Sequence, residues 1–143
     1  MKKTVTSITA VFMALIITLC FASCANTVDK TGLWENATYL KDETFGKGEK
    51  SIQVEVVAED QSVTFTINTD KETLGEALLE HKLVSGENGA YGLYIKTVNG
   101  ILADYDIDQS YWALNKNGEA LTTGADGEKI SDGGHYEFVY TKS

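Results

Sequence analysis

From Lys50 onward, apolar and polar residues alternate with a period of two. Ile52, Val54 and Val56 alternate with Gln53 and Glu55, and after a turn around Asp60-Gln61, Val63, Phe65 and Ile67 alternate with Thr64 and Thr66. Such alternation sends every second side chain to one face, and so predicts a β-hairpin with one buried face. The period then becomes helical: Leu74, Ala77, Leu78 and His81 fall at i, i+3, i+4 and i+7. Thr69 with Glu72 three residues on has the pattern of a capping box, and Gly86 is the expected stop in a left-handed turn. The second half returns to strands. Tyr91 to Val98 ends at Asn99-Gly100, Tyr111 to Lys116 turns at Asn117-Gly118, and Tyr136, Phe138 and Tyr140 alternate with Glu137 and Val139. Asn-Gly between alternating runs is the strongest short-range hairpin signal. The order of two strands, a helix and further strands predicts an α+β fold, a β-grasp-like mixed sheet of five to six strands with one helix packed on one face.

Upstream of Lys50 the pattern changes twice. Lys2 and Lys3 precede an uncharged, mostly apolar run from Ala10 to Phe21, which is too short to span a bilayer comfortably and reads as an export signal. It ends in Phe21-Ala22-Ser23-Cys24, similar to the bacterial lipobox, in which Cys24 is lipidated and becomes the new amino terminus. Phe21 stands where that motif usually has leucine, and cleavage after Ala25 is the competing reading. Residues 24–48 are polar with scattered apolar positions and are expected to be a flexible tether between membrane and domain. Trp34 is the odd residue in a tether, either a clip on the flank of the domain or a ligand contact. The expected organisation is therefore a signal at 1–23, lipidated Cys24 with a tether to 48, and a folded domain at 49–143.

Charge and cysteine content narrow the partners. Cys20 lies in the signal and Cys24 is spent on the lipid, so the exported chain has no thiol for a disulfide and its stability rests on a core. Loss of Lys2 and Lys3 leaves ten lysines against 21 acidic residues, a net charge of −11 with no arginine, which argues against nucleic acid and other polyanions. The location expected is the outer face of the bacterial cell membrane.

Catalytic chemistry has few candidates. Nucleophilic catalysis needs a hydroxyl beside a base, and the only imidazoles are His81, on the apolar helix face, and His135, after the turn Asp132-Gly133-Gly134. No zinc spacing is present, and the chain is expected not to be an enzyme. Asp104-Tyr105-Asp106-Ile107-Asp108 matches the opening of a calcium loop, yet Gln109 replaces the glycine of the sixth position and Asn115 the closing glutamate of the twelfth. Asp104, Asp106 and Asp108 are therefore read as an acidic loop before they are read as a metal site. Gly86 to Gly92 is glycine-rich but follows a helix and has no basic residue, so it is read as a helix-to-strand connection. Tyr91, Tyr94, Tyr105, Tyr111 and Trp112 offer flat amphipathic surface for a ring-shaped or glycan ligand, although an indole at Trp112 also fits a core position.

Taken in order, Tyr94 to Ile101, the acidic loop, Tyr111-Trp112 through Asn117-Gly118-Glu119, Gly124, Asp132-Gly133 and Tyr136 to Tyr140 resemble the DUF4430 family over roughly residues 50 to 142. That family is related to the carboxy-terminal domain of the vitamin B12 carriers transcobalamin and intrinsic factor. The resemblance implies a β-grasp fold and places Trp112, Ala113 and Leu114 on the strand that faces the corrinoid in the carriers. Ala113 departs from the hydrogen-bonding amide of the carriers. The carriers also clamp their ligand against a helical barrel that this chain lacks, so the domain would need a partner or bind weakly. The ligand-binding candidates are thus Tyr94, Tyr111, Trp112, Ala113 and Leu114, with cobalamin or a related corrinoid as the implied ligand. Two functions fit: a lipid-anchored extracytoplasmic binding protein that passes a small nutrient to a membrane importer, and a non-catalytic surface module that binds a protein or glycan.

Overall fold

A computed structural model describes residues 26–143, and the expected signal, Cys24 and the lipobox lie outside the described residues. The strands are β1 (Glu43–Phe45), β2 (Lys50–Ala58), β3 (Gln61–Thr69), β4 (Val84–Gly89), β5 (Gly92–Val98), β6 (Ile101–Leu102), β7 (Ser110–Lys116), β8 (Glu119–Ala120) and β9 (His135–Lys142). Helix α1 spans Leu74–Glu80 and the short α2 spans Tyr105–Asp108, with a 3-10 turn at Gly32–Asn36. Six strands form one mixed sheet in the order β1-β3-β2-β9-β7-β8, and β4, β5 and β6 form a second sheet. The fold is α+β, as the strand and helix periods predict. The alternation along β2 and β3 buries Ile52, Val54 and Val56 against Val63, Phe65 and Ile67, with Val54 opposite Phe65 in the antiparallel register. β9 runs parallel to β2 and brings Tyr136 and Phe138 onto the same buried face. Leu74, Ala77 and Leu78 of α1 close that face, together with Val84, Val98 and Ile101 of the second sheet. The opposite face of the large sheet carries Gln53, Glu55, Thr64, Thr66, Asn115 and Glu137, none of them buried.

Both Asn-Gly pairs form the turns their sequence predicts. Asn117 and Gly118 have φ of 50° and 82°, and Asn99 and Gly100 have φ of 51° and 80°, the paired positive values of a type I′ turn. At Gly100 a Cβ would stand 2.5 Å from the Asn36 carbonyl oxygen, so this position admits glycine alone.

The helix boundaries are corrected at both ends. The capping box is formed by Thr73 and Glu76, with the Thr73 hydroxyl accepting from Glu76 N at 3.3 Å and the Glu76 carboxylate from Thr73 N at 3.2 Å. Thr69 ends β3, buried, with its hydroxyl accepting from Lys71 N. The same four-residue spacing occurs twice, and the strand claims the first copy. At the other end Lys82, with φ of 54°, makes the left-handed turn: Leu83 N donates to Leu78 O and Lys82 N to Leu79 O, the two bonds of a Schellman motif. Gly86 instead lies in β4 at a bulge, where a Cβ would meet the Tyr94 carbonyl at 1.9 Å.

The largest correction concerns residues 26–48, which are part of the domain and not a tether. β1 pairs parallel with β3, Val28 and Trp34 are buried, and Trp34 Nε1 donates to Ala58 O at 2.9 Å. Tyr39, Phe45 and Phe65 stack edge to face with ring centroids 5.2–5.7 Å apart. The Asn99 side chain accepts from Tyr39 N and donates to Tyr39 O, both at 2.9 Å, which fixes the segment to the β5–β6 turn. Apolar residues without a strand or helix period still bury their surface, and here the rings of Trp34, Tyr39 and Phe45 do so. Trp34 is the clip, not a ligand contact.

Candidate ligand site

The five candidate residues are divided among three places. Trp112 and Leu114 point to the buried face of β7; Trp112 is 8 % exposed, its Nε1 donates to Ile101 O at 3.2 Å, and its ring meets Tyr140 edge to face. Leu114 is partly buried against the core. Tyr111 and Ala113 alternate to the open face of the sheet, where Tyr111 lies opposite Thr141 and Ala113 opposite Val139. Tyr94 lies apart from these, near the tip of the β4–β5 hairpin, and is 46 % exposed. The placement expected from the B12 carriers therefore gives no common surface: Trp112 and Ala113 face opposite ways because side chains alternate along a strand.

Tyr94 does take part in a concave feature. Gly89, Ala90, Tyr91, Gly92, Leu93 and Tyr94 of the hairpin, with Gly124 of the β8–β9 loop, line a mostly apolar recess of about 250 Å³. Tyr91 at its rim is fully exposed. Asp126 ties the loop to the hairpin: its carboxylate accepts from Leu93 N at 2.8 Å, and the adjoining Ala125 carbonyl accepts from Gly75 N at the start of α1. The hairpin tip and the helix are thus each hydrogen-bonded to the loop, the first through the Asp126 side chain and the second through backbone. In the sequence Tyr91 and the glycine run were visible, but the recess is also lined by Gly124, some thirty residues away and without any local pattern.

The same loop is fixed to the large sheet by Glu128, whose carboxylate accepts from Lys116 Nζ at 2.7 Å and from the Tyr136 hydroxyl at 3.1 Å. Glu128 raises the pKa of the Lys116 ammonium, and burial, reinforced by Glu128, raises that of the Tyr136 hydroxyl. Both groups hold their protons more tightly in the folded chain, so this stabilisation is complete below about pH 10 and is lost as pH rises through the folded values. Melting temperature is expected to fall on the alkaline side, and Glu128→Gln to flatten that fall without removing the part due to Tyr136 burial. Equal slopes for the two proteins would show that the contact carries no such linkage.

The acidic loop is used internally. Asp104 caps α2, accepting from Asp106 N at 3.0 Å, and pairs with Lys96 at 3.5 Å. Asp108 accepts from the Ser110 hydroxyl, which holds its pKa below the usual carboxylate range, and pairs with Lys142 at 3.4 Å. Among the described residues no three His, Cys, Asp or Glu side chains are grouped as a metal site would require. Neither histidine forms a hydrogen bond with a Ser or Thr hydroxyl among these residues: the contacts of His81 are Glu80 at 3.8 Å and the Phe45 ring, and that of His135 is Glu55 at 3.8 Å.

The domain of unknown function DUF4430 matches residues 71–142, half of the chain. The chain belongs to this family. A crystal structure of "a putative metal binding protein" from Ruminococcus gnavus ATCC 29149 is similar at 42 % identity and a TM-score of 0.63, covering 66 % of this chain and 99 % of that one. Haptocorrin, solved in complex with Cbi, is similar in fold at 21 % identity and a TM-score of 0.50, covering 68 % of this chain and 26 % of its own. This DUF4430 chain thus spans about a quarter of haptocorrin, and the likeness is one of fold. No curated protein matches the sequence.

Proposed function

We propose that this DUF4430 protein is a non-enzymatic ligand-binding domain, held at the outer face of the cell membrane by lipidated Cys24, that takes one ring or sugar unit of its ligand between Tyr91 and Tyr94. The observation that carries the reading is the apolar recess of about 250 Å³ with two accessible tyrosines at its mouth. Aromatic rings offer contact area at low entropic cost, and ligand sites are mostly apolar concavities with a few polar groups. The volume is below the range of about 300–1,000 Å³ typical of sites that enclose a drug-sized ligand. A ligand as large as a corrinoid would therefore be covered by a second body, such as a membrane importer. Support for the corrinoid comes from haptocorrin, solved with Cbi, and stands apart from the recess itself.

The test is a thermal-shift titration of a soluble form of residues 26–143 with corrinoids, haem and glycans. A true ligand is expected to stabilise the domain by about 2.7 kcal/mol at a hundredfold excess over its dissociation constant. Tyr91→Ala and Tyr94→Ala should abolish that gain and leave the melting temperature of the free protein unchanged, since both side chains are exposed. Stabilisation that survives both changes would place the site elsewhere. A second reading, a surface module that binds a protein or glycan, is favoured by the full exposure of Tyr91 at a hairpin tip, and it moves to the front if no small ligand shifts the transition.

A further inference from the structure

The ordered amino-terminal segment has a consequence for orientation, given the reading that Cys24 carries the lipid. Asn26 is already fixed, its side-chain amide donating to the Ser62 carbonyl at the start of β3, and Asp29 exchanges hydrogen bonds with the Gln61 side chain. One residue, Ala25, separates Asn26 from Cys24, and two extended steps along the chain reach about 7 Å. A lipid on Cys24 therefore holds the β2–β3 turn against the headgroups, where a tether of 25 residues would have let the domain tumble.

The strand directions decide what else lies at that end. β9 runs parallel to β2, with Val57 beside Val139, so the end of β9 is level with the β2–β3 turn. Ser110 at the start of β7 pairs with Lys142, and Ser143 N donates to Gln109 O, which brings α2 to the same end. Helix α2 has no buried residue and presents Ile107, 75 % exposed, and Tyr105. An exposed isoleucine at this end suits the boundary of headgroup and acyl chain, where an apolar side chain leaves water. Of the three aspartates of the α2 segment, Asp104 is paired with Lys96 and Asp108 with Lys142, which lessens repulsion from anionic lipid there, while Asp106 and, at the β2–β3 turn, Glu59 and Asp60 are exposed. The hairpin recess is at the far end: Leu93 bonds to Asp126, in the loop whose Glu128 meets Lys116 and Tyr136, at the other end of β7 and β9.

The geometry points to a membrane-seated domain in which Ile107 of α2 rests on the lipid bilayer and the Tyr91–Tyr94 recess faces away from it. The test uses the full chain, processed by the cell and reconstituted into vesicles of phosphatidylcholine and phosphatidylglycerol that contain headgroup-spin-labelled lipid. Ile107→Cys and Tyr91→Cys each supply one free thiol for a fluorophore at an exposed position. Quenching several-fold stronger at 107 than at 91 is the expected result. Equal quenching at the two positions, with the lipid on Cys24 confirmed by mass, overturns the orientation and leaves the anchor standing. An amino-terminal peptide without lipid overturns the anchor itself, and the orientation with it.

Discussion

Trp34→Ala is expected to destabilise the domain by about 3–5 kcal/mol, the range for truncating a buried aromatic side chain in a core. The indole is fully buried, and its loss would also leave the Ala58 carbonyl at the end of β2 without its side-chain donor. Domains are stable by only about 5–15 kcal/mol, so the change threatens folding at physiological temperature. Urea denaturation of residues 26–143 measures it, and Trp34→Phe separates the two parts: phenylalanine keeps much of the apolar contact but has no N–H for Ala58 O, so its cost should be clearly smaller. A loss under about 1 kcal/mol for Trp34→Ala, typical of a surface position, would return residues 26–48 to the role of a tether.

The contrast between that segment and the rest of the chain shows where sequence reading reaches. β2, β3, β7 and β9 were legible because one buried face imposes a period of two, and each Asn-Gly turn because only residues tolerant of positive φ fit it. The segment from Asn26 to Phe45 has no period because it crosses the ends of other elements instead of joining a long ladder. Its burial comes from Val28, Trp34, Tyr39 and Phe45 one at a time, held by the side chain of a distant Asn99. The helix cap was misplaced for a related reason. Thr69–Glu72 and Thr73–Glu76 are equivalent as local patterns, and the pairing of Thr69 with Lys50 across β2 and β3 decides between them.

The candidate site was legible only in part, and the limit is again long range. Tyr91 and Tyr94 were visible as exposed-type aromatics next to glycines, whereas the part of the lining supplied by Gly124 depends on how the β8–β9 loop folds back over the start of α1. Glu128 sets that path through Lys116 and Tyr136, so a contact on the large sheet positions a recess on the small one. Resemblance to the B12 carriers drew attention to β7 instead. There the alternation of a strand is decisive, because adjacent positions such as Trp112 and Ala113 cannot contact the same ligand face.

Trp112→Ala tests that conclusion and is expected to cost about 3–5 kcal/mol, as for other large aromatics removed from a core. Its indole fills the space between Ile101, to whose carbonyl it donates, and Tyr140, so the change opens a cavity and removes the side-chain donor from that carbonyl. Tyr111→Ala, one residue away on the open face, is the matched control and should stay within about 0.5 kcal/mol of the parent. Denaturation of the two variants, each with the ligand titration repeated, separates structure from binding. If Trp112→Ala keeps its stability and loses ligand, the indole is a binding surface and the recess at Tyr91 and Tyr94 is not the site. If it unfolds while Tyr111→Ala binds normally, β7 is scaffold on one face and silent on the other, and the ligand is met by the β4–β5 hairpin.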